Sequence, residues 1–145
     1  MFINDITNSG SAPALEMAMA FAAQRHQLIA GNIANFETPD YRPLDVSVDG
    51  FRKVLGDAVE SRRAQGSGDG PLQWRATREL TQGPDGKLRL IARTPGNGVL
   101  FHDRNNRDLE RTMQDLVENA GAFRVASDLL RARSDLMRAA IAQRA

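Results

Sequence analysis

Apolar residues recur at alternating spacings of four and three positions through the last third of the chain. This spacing keeps the side chains on one face of an α-helix and is the pattern by which helices pair in coiled coils. We predict a helix over residues 105–144, capped by Asn105 or Asn106 and roughly 55 Å long, about twice the usual length. Its apolar row consists of Leu109, Met113, Leu116, Ala120, Phe123, Ser127, Leu130, Ser134, Met137 and Ile141.

A second row with the same spacing lies near the start of the chain. We predict a helix over residues 11–36, in which Ser11 can cap the first turn and Pro13 is tolerated. A neighbouring row of Ala14, Met17, Phe21 and Leu28 widens the apolar face, which indicates more than one packing partner. The main row consists of Leu15, Met19, Ala22, His26, Ile29, Ile33 and Phe36.

Polar residues and a proline end this first helix. Asn35 can adopt the left-handed conformation that closes many helices, and Pro39 restricts the residue before it to extended geometry. Pro39 and Asp40 are expected at the centre of a turn, where Asp40 either fits a type I geometry or takes a positive φ with strain. Asn32 and Asn35 either both act as ordinary helix-end amides, or one caps while the other bonds the backbone of a partner. Tyr41 is an anchor in the core or at an interface.

The middle of the chain changes character. Apolar residues between 51 and 59 predict a short amphipathic helix, and residues 66–70 have the composition of a flexible link. Residues 74–80 and 88–92 predict two strands around the turn chemistry of residues 83–86. We therefore predict a mainly α fold, in which long N- and C-terminal helices pair as a coiled-coil-like bundle. A small irregular or β-hairpin segment, residues 37–104, lies between them in a single elongated unit over residues 1–145.

Composition limits the classes of function. A net charge of +1 gives no field that would attract nucleic acid or an anionic membrane. The absence of cysteine excludes disulfides and thiolate metal sites. His26 and His102 have no carboxylate cluster at metal-ligand spacing, and no nucleophile elbow or phosphate-binding loop is present. We expect no catalytic, cofactor-binding or metal-binding residue, and no enzyme.

The first thirty residues do not form a conventional export signal. No cation precedes Arg25, and Glu16 interrupts the small apolar run between residues 12 and 23. We expect no cleaved signal peptide and no membrane span.

Residues 23–41 resemble a signature found near the N-terminus of bacterial flagellar axial proteins of the rod and hook class. The signature positions are Asn32, Ile33, Ala34, Asn35, Thr38, Pro39 and Tyr41. Asp40 stands where that family usually has glycine, while Ala23, Gln24, Arg25 and Asp45 have counterparts in the proximal rod proteins. Residues 103–110 also resemble the opening of the C-terminal helix of proximal rod proteins.

This resemblance implies a structural subunit of the flagellar basal-body rod, which assembles through its terminal helices into a helical tube that transmits torque from motor to hook. It implies as partners the other rod subunits, the adaptor protein that joins the rod to the membrane-embedded ring, and the flagellar export gate. It also implies a periplasmic location reached without a cleaved signal peptide, and no cofactor. The alternative is a cytoplasmic helical adaptor or export chaperone that binds amphipathic helices in a groove.

Two long apolar rows on so short a chain cannot all be buried in one copy, so we expect part of them to contact neighbouring subunits. In the N-terminal helix and turn, the expected interface residues are Leu28, Ile29, Asn32, Ile33, Asn35, Thr38, Pro39 and Tyr41. In the C-terminal row they are Leu116, Phe123, Leu130 and Met137.

Overall fold

The computed structural model describes residues 10–66, 70–94 and 109–142. Its elements are helix α1 (Ala12–Ala34), helix α2 (Val48–Ala64), strand β1 (Leu80–Gln82), strand β2 (Leu88–Leu90) and helix α3 (Leu109–Ala142). The predicted mainly α fold with a small hairpin between two long helices is confirmed. The predicted caps Asn105 and Asn106, and residues 67–69 of the predicted link, lie outside the described residues.

Helix α1 ends where the sequence predicted, but the conformation that ends it differs from the predicted one. Asn35 has a φ of −104°, so it does not adopt the expected left-handed conformation. Its side-chain amide donates to the Gly31 carbonyl at 2.9 Å, and its backbone N–H donates to the same oxygen at 3.1 Å. The carbonyl is thus satisfied without a left-handed residue. At the other end, Ser11 occupies the N-cap position but makes no side-chain cap hydrogen bond.

The middle segment contains the predicted helix and hairpin with different lengths. Helix α2 begins earlier than predicted because the Ser47 hydroxyl accepts a hydrogen bond from the Gly50 N–H at 2.9 Å and caps it. Strand β1 is shorter than predicted because the chain turns back at Thr77. The Thr77 N–H donates to the Leu80 carbonyl at 2.8 Å, and the Leu80 N–H donates to the Thr77 hydroxyl at 3.1 Å. These bonds occupy the outer edge of the strand.

A compact apolar core lies between α1, α2 and the hairpin. The rings of Phe21 and Phe51 stack with centroids 3.9 Å apart and an interplanar angle of 10°. Leu80 and Leu88, from the two strands, are buried against them. The second apolar row of α1 therefore packs on the middle segment, while its main row faces α3. This confirms the prediction that α1 has more than one partner.

Helices α1 and α3 pack in antiparallel directions, but the row of α3 that faces α1 differs from the predicted row at every second position. Asn119 is buried and donates from its amide nitrogen to the Ala22 carbonyl at 2.8 Å, whereas Ala120 is exposed. The same shift exposes Met113 and Ser134. An α-helix has 3.6 residues per turn, so two adjacent rows can both keep a 4-3 spacing, and the Asn119 bond selects one. The row that faces α1 consists of Thr112, Leu116, Asn119, Phe123, Ala126, Leu130, Arg133 and Met137.

The glycine of α3 does not mark a close contact with another backbone, which was one of the roles that the sequence left open. The helix continues through Gly121, and no atom outside the local helix lies within 4 Å of where its Cβ would be. No helix in the described part of the chain is both long and apolar enough to cross a membrane.

We predict that the two long helices differ in protection from hydrogen exchange. Seven residues of α1 are buried, whereas in α3 only Asn119 and Ala126 are buried. Helix stability in proteins derives mainly from packing, so amides of α1 should exchange more slowly than those of residues 125–140 in dilute solution. Mass-spectrometric hydrogen exchange on the isolated chain measures this difference. Equal protection of both helices would contradict the packing described above.

Candidate functional site

Asn32 folds the chain back along the end of α1. Its amide nitrogen donates to the Leu44 carbonyl at 2.8 Å, and its oxygen accepts from the Leu44 N–H at 2.9 Å. The same oxygen accepts a hydrogen bond from the Tyr41 hydroxyl at 3.0 Å. One alternative from the sequence was that one asparagine caps the helix while the other bonds the backbone of a partner. Asn32 does bond a backbone, but this backbone belongs to its own chain. Tyr41 is half-buried and anchors the returning segment.

The turn between these contacts is strained at one residue. Asp40 has a φ of 59°, and the Tyr41 N–H donates to the Thr38 carbonyl at 3.3 Å. Positive φ at the third turn position, after Pro39 at the second, defines a type II turn. This resolves the two geometries that the sequence allowed for Asp40 in favour of positive φ. Residues 37–40 are exposed at one end of the molecule.

Replacing the strained residue by glycine should stabilise the fold. A positive φ costs a residue with a Cβ roughly 1 kcal/mol or more of conformational free energy, and it costs aspartate less than most residues. Glycine avoids this cost, but it also gives the unfolded chain more conformational freedom, which offsets part of the gain. We expect Asp40→Gly to raise the free energy of unfolding by up to about 1 kcal/mol, measured by urea denaturation. Asp57→Gly, an exposed position inside α2, is the matched control and should destabilise. A destabilising Asp40→Gly would show that the carboxylate makes a contact that outweighs the strain.

Arg25 joins three parts of the chain through an ion cluster in which its own side chain is buried. Its side chain is 5% exposed and binds Asp45 with two hydrogen bonds, Nε to Oδ1 at 2.9 Å and Nη2 to Oδ2 at 2.8 Å. Nη2 also contacts Asp115 Oδ1 at 3.2 Å. Burial alone would lower the pKa of Arg25, but the hydrogen bonds and charges of Asp45 and then Asp115 outweigh it and raise this pKa. The guanidinium thus ties α1 to the segment after the turn and to α3.

Gln24 and Asp45 fix the hairpin to the same cluster. The Gln24 amide donates to the Leu88 carbonyl at 2.8 Å and accepts from the Leu90 N–H at 3.1 Å. These bonds occupy the edge of β2 as a neighbouring strand would. The backbone of Asp45 pairs with Arg93 through two hydrogen bonds of 2.9 and 3.0 Å. The turn, the hairpin and α1 therefore form one connected unit.

Sequence reasoning missed this polar network. Arg25 is the one charged member of an i, i+4 row that contains Met17, Phe21 and Ile29, and its place among buried apolar residues was a usable signal. Its third partner, Asp115, is 90 positions away, and no local pattern indicates it. In the described ranges, no group of three or more histidine, cysteine or acidic residues could hold a metal ion.

The predicted N-terminal interface residues cluster at one end of α1. Ile29 is 2% exposed, and Leu28 packs on the apolar core, so both make their contacts within the chain. Thr38 and Pro39 are exposed at the tip of the turn. The cluster consists of Leu28, Ile29, Asn32, Ile33, Asn35, Thr38, Pro39 and Tyr41.

The four predicted residues of α3 lie on its α1-facing side. Leu116, Leu130 and Met137 are half-buried, and Phe123 is 39% exposed. They are spread along the helix, so the structure does not gather them with the N-terminal cluster into one site. Five large apolar residues are more than half exposed on α3, and of these only Ile141 belongs to the predicted apolar row. They are Val117, Val125, Leu129, Leu136 and Ile141.

Removing the central guanidinium should destabilise the fold strongly. Arg25→Met keeps the length of the side chain but leaves two carboxylates next to an apolar core. We expect a loss of about 3 kcal/mol in the free energy of unfolding, since breaking a buried ion pair from one side costs about 3–5 kcal/mol and both aspartates are partly exposed. Arg52→Met removes an exposed pair with Asp49 and should change stability by less than about 0.5 kcal/mol. Equal losses in the two variants, measured by urea denaturation, would refute the role of the cluster.

Two long helices that pack on each other, with large apolar residues exposed along one of them, are typical of a helical protein that packs against other proteins. The chain is 31% identical to the flagellar basal body rod protein FlgB of Yersinia ruckeri over 107 residues, which cover 71% of this chain and 72% of that protein. It is 30% identical to the flagellar basal body rod protein FlgB of Yersinia enterocolitica, with the same coverage. The chain belongs to the FlgB family of flagellar basal body rod proteins. No protein-family model matches it.

Proposed function

We propose that this chain is a non-catalytic structural subunit of the rod, which assembles through its terminal helices into a helical tube and transmits torque from motor to hook. One observation carries the proposal: five large apolar residues of α3 are more than half exposed in the single chain. Burying one such side chain contributes roughly 1.5–3 kcal/mol. A neighbouring subunit that covers this side would therefore be held strongly.

The ion cluster suits a subunit that carries load. Arg25 connects α1, the segment after the turn and α3 through three hydrogen bonds. Force applied to α3 can pass to the middle segment through this connection and through the Asn119 bond to α1. A subunit tied together in this way transmits torque with little internal rearrangement.

We retain the predicted interface residues as part of this proposal, with roles divided by exposure. Asn32, Asn35 and Tyr41 shape the turn through bonds within the chain. Thr38 and Pro39 are presented at its tip, where a neighbour can contact them. Phe123 contributes the exposed part of its ring beside α1.

The proposed partners are the other rod subunits, the adaptor between the rod and the membrane-embedded ring, and the flagellar export gate. The proposed location is the periplasmic rod. With these partners and this location the proposal goes further than the membership of the chain in the FlgB family.

A charge placed on the exposed side of α3 should block assembly while it leaves the subunit folded. Leu136 is 72% exposed, so Leu136→Asp stays hydrated in the isolated chain but would be buried without a partner in the rod, at a cost of several kcal/mol in each subunit. We expect export to persist and recovery of intact basal bodies to fall. Arg52→Asp, on the exposed side of α2, is the charge control and should leave both unchanged.

Leu130→Asp, compared with Leu136→Asp, distinguishes an effect on folding from an effect on assembly. Leu130 is half-buried on the side of α3 that faces α1, so a charge there should also weaken the monomer.

If Leu136→Asp supports normal rods and the wild-type chain remains in the cytosolic fraction, the cytoplasmic adaptor or export chaperone becomes the better explanation.

A further inference from the structure

The packing of α1 against α3 leaves an open groove on one side of the pair. It has a volume of about 360 Å³. It is lined by three small residues, Ala22, Ala23 and Ala120, and by the ring of Phe123. His26 also lines it and is exposed. Such a groove can receive larger apolar side chains from another helix.

A second apolar row runs along the second half of α3, on the side away from α1. We call it the outer row: Ala122, Val125, Leu129, Ala132, Leu136 and Ala139. Its spacings alternate between three and four, as in a coiled-coil seam. Val125, Leu129 and Leu136 are 60%, 53% and 72% exposed, so each keeps more than half of its surface open.

The two surfaces lie on halves of α3 with opposite charge. Residues 109–121, beside the groove, contain three acids and one arginine, which gives a net charge of −2. Residues 122–142, which carry the outer row, contain four arginines and two aspartates, which gives a net charge of +2. Two copies displaced along the helix axis can therefore bring the basic half of one beside the acidic half of the other.

We propose that the outer row of one copy docks in the α1–α3 groove of a second copy of this chain. The proposal rests on the proposed function, and it specifies which two surfaces meet. The leucine and valine side chains of the row meet the alanines that line the groove, which combines large residues on one side with small residues on the other. Because the surfaces differ, the contact is heterologous and each copy leaves one surface open for the next. Repetition of the contact builds a filament rather than a closed dimer.

Disulfide cross-linking tests this contact directly, because the natural chain contains no cysteine. The double variant Ala23→Cys/Leu129→Cys places one thiol at the groove and one on the outer row. Ala22 contacts Asn119, which lies ten positions from Leu129, so the two thiols of one copy are about 15 Å apart along the helix. Disulfides require Cα atoms within about 7 Å, so a bond between these thiols must join two copies.

The purified full-length variant, oxidised at high concentration and low salt, should give a ladder of dimers, trimers and larger products. We expect about tenfold more cross-linked product than from the control Arg52→Cys/Leu129→Cys, whose second thiol lies on α2, equivalent to about 1.4 kcal/mol of preference. The yield should fall as salt rises, since the charges of the two halves are then screened. A yield no greater than the control would overturn the proposal. Equal dimer formation by Leu129→Cys alone would also overturn it, because outer rows would then pair with each other.

A second arm separates this proposal from the proposed function. The double variant is expressed in the source bacterium in place of the natural chain, and basal bodies are isolated and oxidised. Basal bodies that contain the chain but give no ladder would refute the docking of row and groove while the structural role in the rod stands. A chain that never fractionates with basal bodies, yet forms the ladder when purified, would refute the proposed function instead.

Discussion

The ion cluster at Arg25 is the constraint on which the arrangement of the other elements depends. A guanidinium that is 5% exposed must have its charge matched, and here Asp45, from the segment after the turn, and Asp115, from α3, both contact it. Asp45 can reach Arg25 only if the chain reverses after α1, which the Asn32 bonds and the type II turn accomplish. The backbone of Asp45 in turn pairs with Arg93 and brings the hairpin to the same side.

Helix α1 therefore serves two packing surfaces at once. One side carries Met17 and Phe21 into the core shared with α2 and the hairpin, and the other faces α3. Helix α3 has no such second surface within the described residues, so its outer row stays exposed. This asymmetry gives the chain a stable body together with one long helix suited to contacts between subunits. It agrees with membership of a family of rod proteins.

The features that sequence predicted correctly are those set by local chemistry. The hairpin followed from the turn residues at 83–86, and the end of α1 followed from Asn35 and Pro39. The features that it missed depend on partners far along the chain. The side of α3 that faces α1 is selected by the bond of Asn119 to Ala22, 97 positions away, and periodicity alone does not distinguish it from the adjacent row. The sequence allowed two geometries at Asp40, and only the backbone of the folded chain, with a φ of 59° at this residue, shows which one the turn adopts.

We expect neighbouring subunits to cover the exposed side of α3 while assembly leaves the body around Arg25 unchanged. Electron cryomicroscopy of isolated basal bodies, at a resolution that shows side chains, tests both halves of this claim in one experiment. The predicted density places Val125, Leu129 and Leu136 against another subunit and keeps Arg25 between its two aspartates. Density in which these three residues face an open channel or solvent, or in which Arg25 has left Asp45, would contradict it.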